Sequence, residues 1–210
     1  MKLYLSEEAK YMRKKEEVKD LIILKTKELI KDNPELTIKD IAEACYINIA
    51  AVNYHFGSKD NLISIVMNII IEELKETVFN EIKKITEDDS IEDTLEKMLN
   101  IIYNFTMENT GVVRYLFLKK DNQINSTNLL IDAFFSENEF TKTVFDYLSR
   151  STEIKDKQII YARYMLLFSS FSIPLFIEIA KKQNPESKFS TIQDPSFRQA
   201  YINELLRLVR

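Results

Sequence analysis

Three features of the sequence predict an all-α fold. Only two glycines and four prolines occur in 210 residues, far fewer turn formers than a strand-rich fold needs. Long segments of Ile, Leu, Lys and Glu run between these few breakers. Within the segments, apolar residues recur near i, i+3 and i+4, the spacing of one helix face. The β-branched isoleucines lower helix propensity, so periodicity rather than composition decides.

The elements follow in order. A first helix is predicted from about Lys14 to Asp32, with Val18, Leu21, Ile22, Lys25 and Leu29 near one face and Lys25 snorkelling outward. Asn33-Pro34 stops it, because the residue before proline avoids helical geometry. Thr37 starts a second helix. Thr37-Ile38-Lys39-Asp40 reads as a capping box with Asp in place of Glu, and Ile41, Ala42 and Cys45 form the inward face. Asn48 caps a short third helix that ends near His55, with Gly57 closing it. Ser58 caps a long fourth helix that carries Leu62, Val66, Ile70, Val78 and Ile85. After the polar break at Glu87-Asp88-Asp89, Ser90 opens a helix to about Met107, ended by Asn109-Thr110-Gly111. A short helix is expected over Val112 to Lys119 and a turn over Asp121 to Asn125. Asn128 to Ser149 reads as helix, with a fresh start available at Ser136. Glu153 to Gln183 reads as one long helix kinked at Pro174, and Asn184 to Gln193 as a loop. Asp194-Pro195, an N-cap followed by proline, opens the last helix.

Charge narrows the function classes only locally. The net charge is −4, and residues 1–60 carry as many acidic as basic side chains, so no overall basic excess marks a nucleic-acid binder. From Cys45 to Lys59, however, no acidic residue occurs. The single cysteine, Cys45, allows no internal disulfide and fits a reducing compartment. The charged N-terminus lacks an apolar stretch of signal-peptide length. Tyr164 to Ile177, the most apolar run, is too short to span a bilayer and includes Ser169, Ser170, Ser172 and Pro174. A cytoplasmic protein without a membrane partner is expected. His55 is the only histidine. With no second His or Cys cluster, phosphate loop or dinucleotide glycine pattern, no catalytic residue, metal or cofactor is expected.

Residues 37–57 read as helix, tight turn, short helix, the arrangement that lays a second helix in the major groove. At about 100° per residue, Ile49, Val52 and Phe56 share one side of the third helix and pack inward. Ala50, Ala51, Asn53, Tyr54 and His55 share the other. Small residues there let the backbone approach DNA, while Asn53, Tyr54 and His55 supply hydrogen-bonding groups for phosphates or base edges. Asn48 at the start of that helix joins the DNA-facing set. Lys59 sits where backbone amides at the start of the fourth helix also favour phosphate.

Over Thr37 to Leu62 the chain resembles the TetR family of regulators. The residues that carry the resemblance are Thr37, Ile41 and Ala42, then Val52-Asn53-Tyr54-His55-Phe56-Gly57-Ser58-Lys59-Asp60, and Leu62. The resemblance implies an N-terminal three-helix helix-turn-helix DNA-binding domain, placed at residues 1–60. A C-terminal helical ligand-binding and dimerisation domain would then occupy 61–210. It also implies a homodimer through the last two helices, a double-stranded DNA operator and a small apolar ligand that releases the DNA. By position, Thr37 and Lys59 look like phosphate contacts, and Ala50, Ala51, Asn53, Tyr54 and His55 like groove and backbone contacts. Two positions depart from the pattern: Cys45 stands where the family has alanine, and Tyr46 where it has glycine. The third helix also lacks Arg, the commonest reader of guanine, so a half-site leaning towards A·T is expected.

Other readings stand beside these. Cys45 reads first as a small buried core residue. The aromatic residues of the C-terminal part read first as core, with Met107, Tyr115, Phe134 and Phe168 the candidates for an apolar ligand site. An all-helical enzyme, or a helical interaction protein that uses its helix-turn-helix only for packing, are the alternatives from other functional classes.

Overall fold

The computed structural model describes residues 7–84, 90–118, 126–170 and 193–209, with 173, 174 and 177. The turn placed at 121–125, nearly all of the loop at 184–193 and most of the helix expected beyond Ser170 lie outside the described residues. Among those described there are ten helices and no strand. They are α1 (Glu7–Ile30), α2 (Ile38–Ala44), α3 (Ile49–Phe56), α4 (Lys59–Lys83), α5 (Ile91–Glu108), α6 (Thr110–Leu118), α7 (Ser126–Phe134), α8 (Glu139–Thr152), α9 (Lys157–Ser169) and α10 (Pro195–Val209). The all-α class expected from the sequence is the class observed. No helix among the described residues is long and apolar enough to cross a membrane.

Local chemistry sets most helix ends. The Thr37 hydroxyl accepts from the Asp40 amide at 3.2 Å, and the Asp40 carboxylate accepts from the Thr37 amide at 2.8 Å, closing the box that starts α2. Ser90 accepts from the Asp93 amide at the start of α5. Asp194 accepts from the amides of Ser196 and Phe197 ahead of α10. Elsewhere the structure differs from expectation. The chain breaks after Phe134, but the residue that starts α8 is Asn138 rather than Ser136. Its carbonyl oxygen accepts from the Thr141 amide at 3.0 Å while its NH₂ donates to the Ala133 carbonyl at 3.0 Å. One side chain thus finishes α7 and starts α8. Glu153, expected to begin the next helix, instead closes α8 with φ 57°, and Asp156 caps α9.

The helices form two compact units: 1–70 with 111–127, and 71–110 with 128–210. The boundary expected after residue 60 thus meets units that divide within α4, and the first unit also includes α6. In the first unit α2 packs against α1 and α3. The buried face of α1 runs through Ile22, Thr26 and Ile30, whereas Leu21 is exposed. Thr26 is tolerated there because its hydroxyl donates to the Ile22 carbonyl at 2.7 Å. Gly111, at the start of α6, donates its amide to the Lys31 carbonyl at 2.6 Å. A Cβ at that position would lie 2.2 Å from the Ile30 oxygen, so only glycine permits the approach. It supplies a donor for one of the carbonyls that the end of α1 leaves without a helical partner.

In the second unit α8 packs on α9, and α10 on α5 and α9. Leu99, Tyr103, Tyr147, Leu148, Ile160 and Ile202 lie in its core. Two phenols bind across helices: Tyr164 donates to the Phe134 carbonyl at 2.7 Å and Tyr201 to the Ser170 carbonyl at 2.8 Å. Burial pushes the pKa values of Tyr103, Tyr164 and Tyr201 up. Their hydroxyls therefore stay protonated across the range in which the protein works.

Candidate nucleic-acid interface

The sharp turn between α2 and α3 is built by backbone hydrogen bonds. The Tyr46 amide donates to the Glu43 carbonyl at 3.1 Å and the Ile47 amide to the Ala42 carbonyl at 3.0 Å. These two bonds make a Schellman closure, which places the residue after the C-cap in the left-handed region. That residue is Tyr46, with φ 56°. A side chain there costs on the order of 1 kcal/mol relative to glycine. The departure from glycine at this position therefore falls on a residue in the left-handed region.

Asn48 then starts α3 by accepting from the Ala51 amide at 2.7 Å. Val52 and Phe56 are buried beneath the helix. Ile49, expected to join them, is 41 % exposed; it opens the helix, a turn short of the buried pair. On the outer side, Asn48, Ala50, Asn53 and Tyr54 are exposed, and Ala51 and His55 are partly so. Gly57, with φ 74°, closes α3, and Ser58 accepts from the Asn61 amide to start α4. The structure therefore brings the expected small-and-polar face together on one exposed helix side, with Lys59 just beyond its end.

Two site residues sit in unexpected company. Thr37 gives both its amide and its hydroxyl to Asp40, at 2.8 and 2.7 Å. Thr37 thereby caps α2, with the Asp40 carboxylate beside the point where a phosphate contact was expected. Lys59 lies 3.9 Å from Asp60, a loose pair that leaves room for another anion. Sequence reasoning did not single out Lys15. Its ammonium stands 5.0 Å from the centre of the Tyr54 ring, which brings a cation from α1 to the exposed side of α3. No local sequence signal marks that approach, because it depends on how α1 crosses α3.

Of the four residues expected to line a ligand site, two meet within the second unit. Phe134 and Phe168 meet, with ring centres 5.4 Å apart, and Phe135 stands 4.6 Å from Phe168. Phe140 lies 5.8 Å from Phe134, and Tyr164 contacts Phe135 at the same distance. Met107 is half-buried on α5 of this second unit, whereas Tyr115 is buried on α6 of the first unit. Cys45 is buried as expected, and burial pushes its thiol pKa up, which makes it a poor nucleophile. Among the described residues no group of three His, Cys, Asp or Glu side chains is placed to hold a metal ion.

The outer face of α9 is apolar. Ile160, Tyr164 and Leu167 point into the core, while Ile159, Tyr161, Met165 and Leu166 are exposed. On α10 the exposed positions include Gln199, Asn203, Glu204 and Arg207.

A buried-beneath, polar-above short helix held across a tight turn from its partner defines a helix-turn-helix protein. Residues 25–64 match the family model described as bacterial regulatory proteins, tetR family. Among solved structures, the chain is similar to a proposed TetR-family transcriptional regulator from Mesorhizobium loti MAFF303099. The TM-score is 0.62 at 14 % identity, over 94 % of this chain and 96 % of that one. At that identity the likeness concerns the fold. No curated protein matches the chain in sequence.

Proposed function

We propose that the protein is a dimeric, sequence-specific DNA-binding transcriptional regulator, a cytoplasmic repressor that a small apolar molecule releases from its operator. The observation that carries this reading is the exposed side of α3. Ala50 and Ala51 leave the backbone free to enter a groove, Asn53, Tyr54 and His55 offer hydrogen bonds, and Val52 and Phe56 hold the helix from below. Lys59 supplies a phosphate contact beside these residues, and Asn48 holds the end of the helix that enters first. Without arginine on this face, A·T-leaning half-sites fit best, with thymine methyls against the two alanines.

The apolar outer face of α9 supports a two-fold dimer. To act on one duplex, such a dimer would have to present its two copies of α3 about 34–36 Å apart, or a multiple of that spacing, to match successive turns of DNA. The aromatic group around Phe134 and Phe168 favours a largely apolar ligand. Such a ligand must bind the DNA-competent and DNA-incompetent arrangements unequally to act as a switch.

The test is selection of duplexes from a randomised pool, followed by gel-shift titration of the winning sequence. Salt-sensitive, specific binding is expected. Ala50→Glu places a carboxylate against phosphates and Tyr54→Ala removes an exposed contact. Both variants should melt like the parent yet bind at least tenfold more weakly, a loss of about 1.4 kcal/mol or more. Unchanged affinity in both variants would sink the reading.

A further inference from the structure

We propose that Tyr46 is a DNA-backbone contact, its phenol hydroxyl donating to a phosphate beside the groove that α3 enters. The inference rests on the DNA-binding reading above and adds a residue outside the recognition helix. The turn demands a left-handed residue, and glycine meets that demand without strain. This chain keeps a tyrosine at φ 56°. The ring is 96 % exposed, so burial gives nothing back for the strained backbone. The Lys25 ammonium is held by Glu28 at 2.7 Å. A strained backbone that keeps a large side chain in water is a reason to look for an external partner.

Its place in the chain says which partner. Tyr46 lies two residues ahead of Asn48, the cap of α3, so the ring projects from the turn that leads into the recognition helix. No carboxylate occurs between Cys45 and Lys59, and the exposed flank of α3 includes the Lys15 ammonium over Tyr54. A neutral O–H donor in an acid-free segment suits phosphate oxygen, the group that hydroxyl side chains commonly meet at the edge of a protein–DNA contact. Because the donor carries no charge, it displaces no counterion of its own.

The experiment compares the parent protein, Tyr46→Phe and Tyr46→Gly on the duplex the parent selects from a randomised pool and on a scrambled duplex, across several salt concentrations. Tyr46→Phe removes only the hydroxyl. It should bind both duplexes about tenfold more weakly, with the slope of affinity against salt unchanged and with the parent's melting temperature. Tyr46→Gly should bind at least as weakly while melting about 2–4 °C higher, because the strain is gone. Parental affinity in Tyr46→Phe overturns the proposal while leaving the DNA-binding reading intact. Failure of the parent protein to select any duplex overturns both.

Discussion

Single residues carry some of the sharpest constraints in this fold. Gly111 is needed because the α1 carbonyls approach too closely for any Cβ, with the Ile30 oxygen 2.2 Å from where it would sit. Gly111→Ala should therefore destabilise the protein by about 1–3 kcal/mol through overpacking, read as a lower denaturant midpoint. Asp40 tests a pH effect. Its backbone hydrogen bond from Thr37, then that from the Thr37 hydroxyl, holds its carboxyl below the usual aspartate range. A carboxylate with a depressed folded-state pKa contributes stability that is present at neutral pH and fades as pH falls below about 4. Asp40→Asn should flatten that acid limb in melts taken from neutral pH downwards. The capping box was legible in the sequence because Thr37 and Asp40 are three residues apart and need nothing else. The role of Gly111 was not, since it read as a helix stop and its reason lies eighty residues away on α1.

At the scale of elements, α3 combines a local start with a tertiary support, and the two separate by mutation. Asn48→Ala removes the cap and should cost about 1 kcal/mol. Phe56→Ala removes a buried ring and should cost about 3–5 kcal/mol, measured by chemical denaturation. Helix existence and type were readable almost throughout, because breakers and caps act within a few residues. What failed was decided by packing. Thr26 sits on the buried face of α1, where a stripe of apolar residues was expected to include Leu21; the crossing of α2 on α1 sets that face. Asn138 serves two helices at once, a service visible only when both are in place. On α3, the outward set was legible from helical spacing, while Ile49 was assigned inward by the same spacing and lies out because it opens the helix.

For the whole molecule, the proposed dimer rests on the exposed apolar side of α9. Leu166, 54 % exposed, stands in that face, and Leu166→Glu should leave a folded monomer in sedimentation experiments. DNA affinity should fall with it, because one half-site would no longer reinforce the other. The same burial pattern leaves the core residues Ile160 and Leu167 untouched, so helical content should not change. The sequence marked Tyr164 to Ile177, which begins within α9, as its most apolar run, which made it a candidate for burial but did not say which side meets the protein's own core. The ligand candidates show the limit more plainly: Phe134 and Phe168 meet across two helices, a pairing no local spacing announces, because an aromatic residue's neighbours depend on the path of the chain between helices.

The seat of α6 on the end of α1 also means that the first compact unit is stitched from two separated stretches of chain. A gene cut at the middle of α4 would encode all three N-terminal helices yet lack the amide that occupies the Lys31 carbonyl. The N-terminal helices are therefore no detachable cassette. Moving them into a chimaera requires carrying along a short passage encoded well downstream.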